Sequence, residues 1–477
     1  MPSLTALFLS LAQLTVSLTQ PSTSESSPSS SSSPQSQVCG RGTSPPHLLR
    51  HPVCLDALIS SSSSPPASWT PWTHPPHCIP ASDEPWCVYT NAAALGSDSG
   101  PGPGIGISII TTPDIASSDP LLHPAQHRFH APFFAPDKLY TDPRPYKVRD
   151  VPGKGKGAVA IRRIEKGRAV LVDYASVLAA VEYPADVLRE EVQELLSIAA
   201  ERLGEPGKVT GLARKGEGRA SAGLEDGGGE DAEGDMDSEA SVMEDVMLTN
   251  SFGVVIGGRE FMGLFSDLAR FNHDCKPNAF IHFSETTLAM TVWAARDIEP
   301  GEEITITYSA AGMTSKERQQ TLEKVWGFKC QCSLCTSSPE ALNASDTRRA
   351  QIPSLREEVV KLAQKGEFNK AITAAETLFS LVEEEGLTEQ MGDMYEVPAR
   401  LYYHVGNLEK ALEYTLKVKH EIDGYGFPGK LGMEKLKMLK GVIARIEREL
   451  KDKKKRGGDG SQGEEKPGDQ EESKHTK

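Results

Sequence analysis

The pattern of hydrophobic and polar residues is β-like in the middle of the chain and helical towards its C-terminus. Residues 158–161 and 169–174 are short β-like runs, and the turn residues Glu165-Lys166-Gly167 separate them. Residues 184–203 then carry apolar positions at helical spacing, and a second helical pattern runs from residue 242 through residue 268. The pattern predicts three further strands, over residues 280–283, 288–294 and 303–308.

Helical spacing returns after Cys335, over residues 355–382, 396–422 and 433–450. Two of these segments share a phrase at a period of 40 residues, Gly366-Glu-Phe-Asn-Lys-Ala371 and Gly406-Asn-Leu-Glu-Lys-Ala411. The period and setting are typical of tetratricopeptide-like helix pairs, although two copies are fewer than an independent array needs. We therefore expect tetratricopeptide-like helices over residues 350–450 that lean on the preceding domain, with an unrelated helical bundle as the alternative. The charged, Gly-rich tail over residues 451–477 is predicted to be disordered.

The first 145 residues contain little that predicts a core. Residues 4–18 are largely apolar, and the first charge is Glu25, so residues 1–19 resemble a signal peptide that lacks its basic start. A disordered start or a misassigned start site are the alternatives. Ser/Pro tracts over residues 20–37 and 59–68 cannot bury enough apolar surface to fold. The rest is expected to be a loop-rich extension with one strand over residues 105–112, and no transmembrane anchor is expected.

Charge adds one feature to this picture. The 477 residues, enough for two or three domains, contain 66 acidic and 51 basic side chains, for a net charge of -15. Ten of the acidic residues lie within residues 225–245, which contain no Lys or Arg. We interpret residues 204–240 as a disordered acidic insertion. Direct nucleic-acid binding is not expected of so acidic a chain, although residues 147–166 form a local basic stretch.

The eight cysteines fall into two groups. Four are widely spaced near the N-terminus, predict disulfides if the chain is secreted, and allow three pairings: Cys39, Cys54, Cys78 and Cys87. The second group contains the tight run Cys330, Cys332 and Cys335. Zinc prefers four thiolates, and Cys275 is the remaining cysteine of this domain, so the group predicts a zinc site. Disulfides or free thiols are the alternative.

Four motifs in fixed order carry the candidate chemistry. They are Gly153-Lys-Gly-Lys-Gly157, Arg270-Phe-Asn-His-Asp-Cys-Lys-Pro-Asn278, Pro300-Gly-Glu-Glu-Ile-Thr-Ile-Thr-Tyr308 and Trp326-Gly-Phe-Lys-Cys-Gln-Cys-Ser-Leu-Cys335. The first is a glycine turn that lets the backbone approach a ligand, but it is neither a Walker loop nor a dinucleotide turn. Taken singly, the second and third could be a satisfied buried histidine and an ordinary strand.

Together the motifs resemble the SET-domain lysine methyltransferases, and in particular their SET-and-MYND-type and fungal members. The resemblance covers residues 146–340 and, less specifically, the helices up to residue 450. It implies an α+β fold: a β-rich SET domain with a knot-like crossing over residues 146–310, a post-SET zinc segment over residues 311–340 and a helical region. The MYND finger of some members is missing, because residues 180–245 contain no cysteine.

The resemblance also implies the site residues. Asn272 and His273 would meet the glycine turn Gly155-Lys156-Gly157 around S-adenosylmethionine, Phe328 would stack on its adenine, and Tyr308 would be the catalytic residue at the methyl-transfer channel. The four cysteines of the second group would hold Zn²⁺. The expected activity is protein-lysine N-methyltransfer, on a histone or another protein with an accessible lysine.

Three further expectations follow from the sequence. A catalytically weak SET-derived binding module is the alternative function, since Ala158 is smaller than the apolar residue that the family usually has there. The protein is expected to be a monomer. It would enter the secretory pathway if the signal peptide is real, and otherwise act in the cytoplasm or nucleus.

Overall fold

The computed structural model describes seven stretches of the chain, residues 72–92, 105–117, 144–213, 239–285, 287–387, 395–425 and 430–458. The predicted signal peptide, the Ser/Pro tracts, Cys39 and Cys54 lie outside the described residues. Residues 214–238 of the predicted insertion and residues 459–477 of the tail also lie outside them.

The described strands all lie before residue 307, with four helices between them, and the described chain after that residue is helical, so the fold is α+β as predicted. The strands are β1 (His77–Ile79), β2 (Trp86–Asn91), β3 (Ile107–Thr111), β4 (Tyr146–Val151), β5 (Gly155–Ala160), β6 (Ala169–Tyr174), β7 (Val177–Ala180), β8 (Ser251–Ile256), β9 (Arg259–Leu264), β10 (Asn272–His273), β11 (Ala279–Ser284), β12 (Ala289–Ala294) and β13 (Thr305–Ile306). The helices are α1 (Pro113–Ala116), α2 (Arg189–Glu201), α3 (Pro206–Thr210), α4 (Glu239–Asn250), α5 (Ser315–Trp326), α6 (Pro339–Gln364), α7 (Phe368–Glu384), α8 (Glu396–His404), α9 (Leu408–Tyr425) and α10 (Lys430–Gly458).

The largest sheet has six strands in the order β1-β2-β3-β7-β9-β8 and is buried on both faces at its centre. Every residue of β2, β3 and β7 is buried. On one face Val88 packs in a cluster with Leu195 of α2 and Val246 of α4. On the other face Tyr89 belongs to a second cluster that includes Val292 of β12. Double burial explains why these strands are almost continuously apolar and lack the alternation of a half-exposed strand.

The strands near the N-terminus were only partly predicted. The strand expected over residues 105–112 is confirmed as β3, but β1 and β2 were not predicted, although they join the same sheet. Cys78 and Cys87 lie opposite each other on β1 and β2 and are joined by a disulfide. Only one of the three pairings left open by the sequence includes this bond.

The helix predicted through residue 268 is wrong for residues 251–264. The helical pattern ends at Asn250, and β8 and β9 follow as an antiparallel hairpin. Gly257 and Gly258 form its turn with φ angles of 59° and 76°, a region that glycine adopts without a steric penalty. Burial then alternates, with Val254 buried and Val255 53% exposed. The predicted strands over residues 169–174, 280–283 and 288–294 are confirmed as β6, β11 and β12.

The first ten residues of the predicted disordered insertion, 204–213, are folded in the structure. Residues 206–210 form α3, and Val209 and Leu212 are buried against the α2 side of the large sheet. The prediction of disorder is therefore wrong for residues 204–213, because these two apolar side chains add to an existing core.

In the described part of the helical region, glycine turns join two pairs of helices. Gly366 separates α6 from α7 and Gly406 separates α8 from α9, with φ angles of 75° and 76°. The shared phrases therefore lie at helix–turn–helix junctions, and the predicted helices over residues 355–382 and 396–422 are each interrupted there. Helix α10 continues to Gly458, so disorder from residue 451 is wrong for its first turns. None of the helices in the described part of the chain combines the length and apolar character needed to cross a bilayer.

Candidate functional site

A two-residue parallel ladder brings the second and third motifs together. Asn272 pairs with Thr305 and His273 with Ile306, and the Asp274 N–H donates to the Ile306 carbonyl at 2.9 Å. Such a short ladder has little stability of its own, so neighbouring contacts must hold it. The pairing places Asn272 and His273 beside the strand that leads to Tyr308.

The turn that enters this ladder is held by a buried carboxyl group. Asp173 Oδ2 accepts hydrogen bonds from the backbone N–H groups of Asp267 and Leu268, both at 2.8 Å. Burial, followed by the neighbouring charge of Asp267, raises the pKa of Asp173 to about 7. Arg144 forms an ion pair with Asp267 at 2.6 Å and so limits this repulsion.

The glycine turn of the first motif lies against the same ladder. The Ile304 N–H donates to the Ala158 carbonyl at 2.8 Å, which joins β5 to the segment before β13. Asn272 Nδ2 donates to the Lys156 carbonyl at 3.1 Å and to Glu303 Oε1 at 2.8 Å. These bonds bring residues from three of the four motifs into direct contact.

Gly157 lies where any side chain would force its neighbours to move. A Cβ atom there would lie 2.8 Å from Asn272 Nδ2, 2.8 Å from Glu303 Oε1 and 2.7 Å from Val151 Cγ2. In contrast, no atom lies within 4 Å of the Cβ position at Gly155, which leaves this part of the turn open to a ligand. The turn therefore has one tightly packed glycine and one exposed glycine.

His273 is buried and electrically neutral. Its Nδ1 accepts a hydrogen bond from the Tyr308 backbone N–H at 3.0 Å, so the proton of the neutral ring resides on Nε2, 3.3 Å from Cys275 Sγ. Burial lowers the pKa of His273 to about 4. The imidazole thus fixes the backbone at Tyr308 and contacts the cysteine cluster.

Tyr308 is positioned through both its backbone and its side chain. Its hydroxyl donates to the Phe271 carbonyl at 2.8 Å, and its ring lies 5.0 Å from Trp326 and 5.4 Å from His273 between centroids. Burial, assisted by the negative charge of Glu303, raises the pKa of the phenol above its ordinary value. The hydroxyl therefore stays protonated at neutral pH.

Phe328 approaches the ladder from the end of α5. That helix ends at Gly327 with a φ of 73°, and the turn places the half-buried Phe328 ring 6.3 Å from His273 between centroids. Trp326 Nε1 donates to the Thr249 carbonyl at 3.0 Å and anchors the same turn. Trp326 was part of the fourth motif, but the sequence did not indicate its contact with Tyr308.

The four cysteines predicted to bind metal are close together. Their sulfur atoms all lie within 4.8 Å of one another, with Cys275 at 3.6 Å from Cys335 and 4.0 Å from Cys330, and all four are free thiols. Tetrahedral zinc with Zn–S bonds of about 2.3 Å requires sulfur separations of about 3.8 Å. The donor set and its spacing fit a structural zinc ion, and the disulfide alternative is not what the structure has.

The backbone around these cysteines is held from two sides. Gln319 of α5 exchanges two hydrogen bonds of 2.9 Å with the backbone of Cys330. Arg349 of α6 donates from Nη2 to the Cys275 carbonyl at 2.8 Å. The cluster is thus fixed to α5 and α6.

Two residues of the site had no predicted role. Glu303 bonds to Asn272 and forms an ion pair with Lys154 at 2.8 Å. Asn278 donates to the Glu303 carbonyl and accepts from the Thr305 N–H, both at 2.8 Å. Both lie inside quoted motifs, so their presence was visible in the sequence, but their contacts depend on the ladder.

Comparison with known proteins agrees with this geometry. Residues 155–309 match the family described as SET domain. Histone-lysine N-methyltransferase set5 of Schizosaccharomyces pombe is 42% identical over 91 residues, covering 19% of this chain and 28% of the relative. Histone-lysine N-methyltransferase SET5 of Scheffersomyces stipitis is 34% identical over 125 residues, covering 26% and 23%. Histone-lysine N-methyltransferase SMYD3 of Homo sapiens is 42% identical over 74 residues, covering 16% and 17%.

The matches span less than a third of each of these relatives. The family match covers the segment that carries most of the first three motifs and the ladder between the second and third. Residues 155–309 therefore match a SET domain, and the chain is similar in part to the SET5 and SMYD proteins.

Proposed function

We propose that the protein transfers methyl groups from S-adenosylmethionine to lysine side chains of proteins. The pairing of Asn272-His273 with Thr305-Ile306 carries the proposal, because it gathers the predicted cofactor residues and Tyr308 around one glycine turn. The SET domain and the relatives named as histone-lysine N-methyltransferases support it.

The residues that would hold the cofactor are Gly155, Lys156, Gly157, Asn272, His273, Tyr308 and Phe328. The exposed glycine turn offers its backbone, and the half-buried Phe328 offers a ring face for an adenine. When bound, S-adenosylmethionine would supply a methyl group activated by its sulfonium charge. The neutral state of His273 suits this ligand, since it places no second positive charge beside the sulfonium.

The accepting lysine must lose its proton to act as a nucleophile. Lysine has an ordinary pKa of about 10.4, so the channel has to favour the neutral amine by excluding water. Tyr308 remains a protonated phenol, and its hydrogen bond to the Phe271 carbonyl leaves the oxygen lone pairs available to the channel. We assign Tyr308 the role of aligning the amine and polarising the transferring methyl group.

We also propose that Cys275, Cys330, Cys332 and Cys335 hold a structural Zn²⁺. The ion would tie the segment after α5 to the strand that carries His273, so that Phe328 stays over the site. Its role would be structural, since four thiolates leave no open coordination position.

Methyl transfer from labelled S-adenosylmethionine to histones, and to proteins of a cell lysate, tests the proposal. We expect transfer by the wild type, and Tyr308→Phe should lower turnover more than cofactor affinity because its backbone and ring are retained. Tyr403→Phe is the matched control, since that hydroxyl bonds to Glu449 in the helical region. Cofactor binding without transfer to any protein would instead favour the binding-module alternative. An equal loss of turnover and affinity in Tyr308→Phe would contradict the assigned role.

A further inference from the structure

One face of α6 lies against the chain segment that follows Tyr308. Asp346 accepts hydrogen bonds from the backbone N–H and the hydroxyl of Ser315, at 2.6 and 2.5 Å. Seven residues along the helix, Pro353 packs so closely on Gly312 that a Cβ atom at the glycine would lie 2.5 Å from the proline Cγ. Residues three and four apart share one face of a helix, so Asp346, Arg349 and Pro353 form a single docking face.

Arg349 extends from the middle of this face to the cysteine cluster. Its side chain is 1% exposed, and it donates from Nη2 to the Cys275 carbonyl at 2.8 Å. Its Nε donates to Glu385 Oε2 at 2.7 Å, just after the end of α7. The planar guanidinium therefore joins two helices to the backbone of a predicted metal ligand.

Glu385 fixes the orientation of Arg349. Its side chain is fully buried and also accepts from the Ser345 hydroxyl at 2.6 Å and from Arg348 Nε at 2.7 Å. Burial alone would raise the pKa of Glu385, but the bonds from Ser345, Arg349 and Arg348 outweigh it and lower the pKa. The carboxylate is thus charged at neutral pH.

A buried ion pair of this kind is weak evidence for stability, because removing two charges from water is costly. Its contribution is geometric, since two fixed donors on one rigid plane determine where the Cys275 carbonyl lies. His273 lies two residues before Cys275, at the end of β10, and its Nε2 contacts the Cys275 sulfur.

We propose that Arg349 is a positioning residue for the Cys275 loop, through which the helical region acts on the zinc cluster and on His273. The helical region therefore helps to hold the residues of the candidate site in position. This inference rests on the proposed zinc site and goes beyond it by naming what holds that site in place.

The test compares zinc release in the full-length protein. Arg349→Met combined with Glu385→Gln removes both buried charges, while the glutamine oxygen can still accept from Arg348 and its amide can donate to the Ser345 hydroxyl. Arg349→Lys keeps the charge but lacks the planar group that donates to both the Cys275 carbonyl and Glu385. Lys410→Met combined with Glu413→Gln removes an exposed pair on α9 and is the control.

Zinc transfer to an excess of chelator should be about tenfold or more faster in both Arg349 variants, as is typical when a group supporting a metal ligand is lost. The cofactor dissociation constant should rise in parallel, with the control unchanged. Amide hydrogen exchange at Asp274 reports the same loop without metal, and it should be faster in metal-free Arg349→Lys than in metal-free wild type.

The outcomes separate the two proposals. A wild-type protein that contains no zinc after purification from zinc-supplemented cells overturns the zinc site, while the exchange measurement still tests Arg349. If folded Arg349→Lys releases zinc and exchanges the Asp274 amide proton at wild-type rates, the positioning role is overturned. If the double variant does not fold, Arg349→Lys alone decides the question.

Discussion

Replacing Gly157 by alanine tests whether the close packing of the glycine turn controls the site. The new Cβ atom would lie 2.7–2.8 Å from three side-chain atoms, whereas ordinary contacts begin at 3.4 Å. Each neighbour must therefore retreat by about 0.6 Å or more. Overpacking of this kind costs about 1–3 kcal/mol, and each hydrogen bond broken at Asn272 adds about 1 kcal/mol.

We expect Gly157→Ala to weaken cofactor binding more than it lowers the stability of the fold. Val151 is branched and stiff, but Asn272 and Glu303 can swing away, and Asn272 then leaves its bond to the Lys156 carbonyl. We expect cofactor affinity to fall about tenfold or more, since 1.4 kcal/mol corresponds to a factor of ten. The melting temperature should fall by about 2–4 °C for each kcal/mol lost from the fold.

Isothermal titration with S-adenosylhomocysteine and a thermal unfolding scan measure the two effects. Gly253→Ala is the matched control, because Gly253 lies in β8 with no atom within 4 Å of its Cβ position. That control should keep its affinity and its melting temperature. If Gly157→Ala behaved like Gly253→Ala in both measurements, the packing argument would be refuted.

Two further predictions concern stability. The folded-state pKa of Asp173 is raised to about 7, so between about pH 4 and about pH 7 the folded protein retains a proton that the unfolded chain has released. As the pH rises through this range, the free energy of unfolding should fall by about 1.4 kcal/mol for each pH unit. Asp173→Asn should flatten the pH dependence of urea-unfolding stability between about pH 4 and about pH 7, and an unchanged pH dependence would contradict the assignment. Opening the disulfide by Cys78→Ser and Cys87→Ser should cost about 2–3 kcal/mol, from the loop entropy of cysteines nine residues apart. The same loss should appear when wild type is reduced, and a reductant-insensitive wild type would be evidence against the bond.

The sequence predicted the residues that carry the chemistry of the site better than the residues that hold them in place. Cys275 was predicted to join Cys330, Cys332 and Cys335 because zinc needs a fourth thiolate, and the structure confirms their proximity. The roles of Asn272 and Phe328 in cofactor binding remain predictions. Arg349 and Glu385 could not have been found, because one Arg and one Glu among many charged residues give no periodic signal. Their pairing exists only after α6 and α7 have packed.

The prediction of secondary structure failed where the local sequence pattern and the tertiary context favour different structures. Residues 251–264 are apolar often enough to extend a helical pattern, but the Gly257-Gly258 turn and pairing with β7 select strands. Strand β1 has three residues and carries no periodicity, so it depends on its partner β2. In contrast, β6 was correctly bounded, because its run of apolar residues is flanked by a clear turn signal.

The parallel ladder between β10 and β13 also affects how the protein folds. Its strands are separated by the whole β11–β12 hairpin, and β5 reaches its partner Glu303 across most of the SET domain. The chain must lose the entropy of closing these long loops before the short ladder returns any stabilising contacts, and this ordering slows folding. The Arg349 bond to Cys275 completes the assembly only once α6 has been synthesised. We therefore expect the site to be among the last parts of the molecule to form, and a nascent chain that ends before α6 to expose an incomplete site.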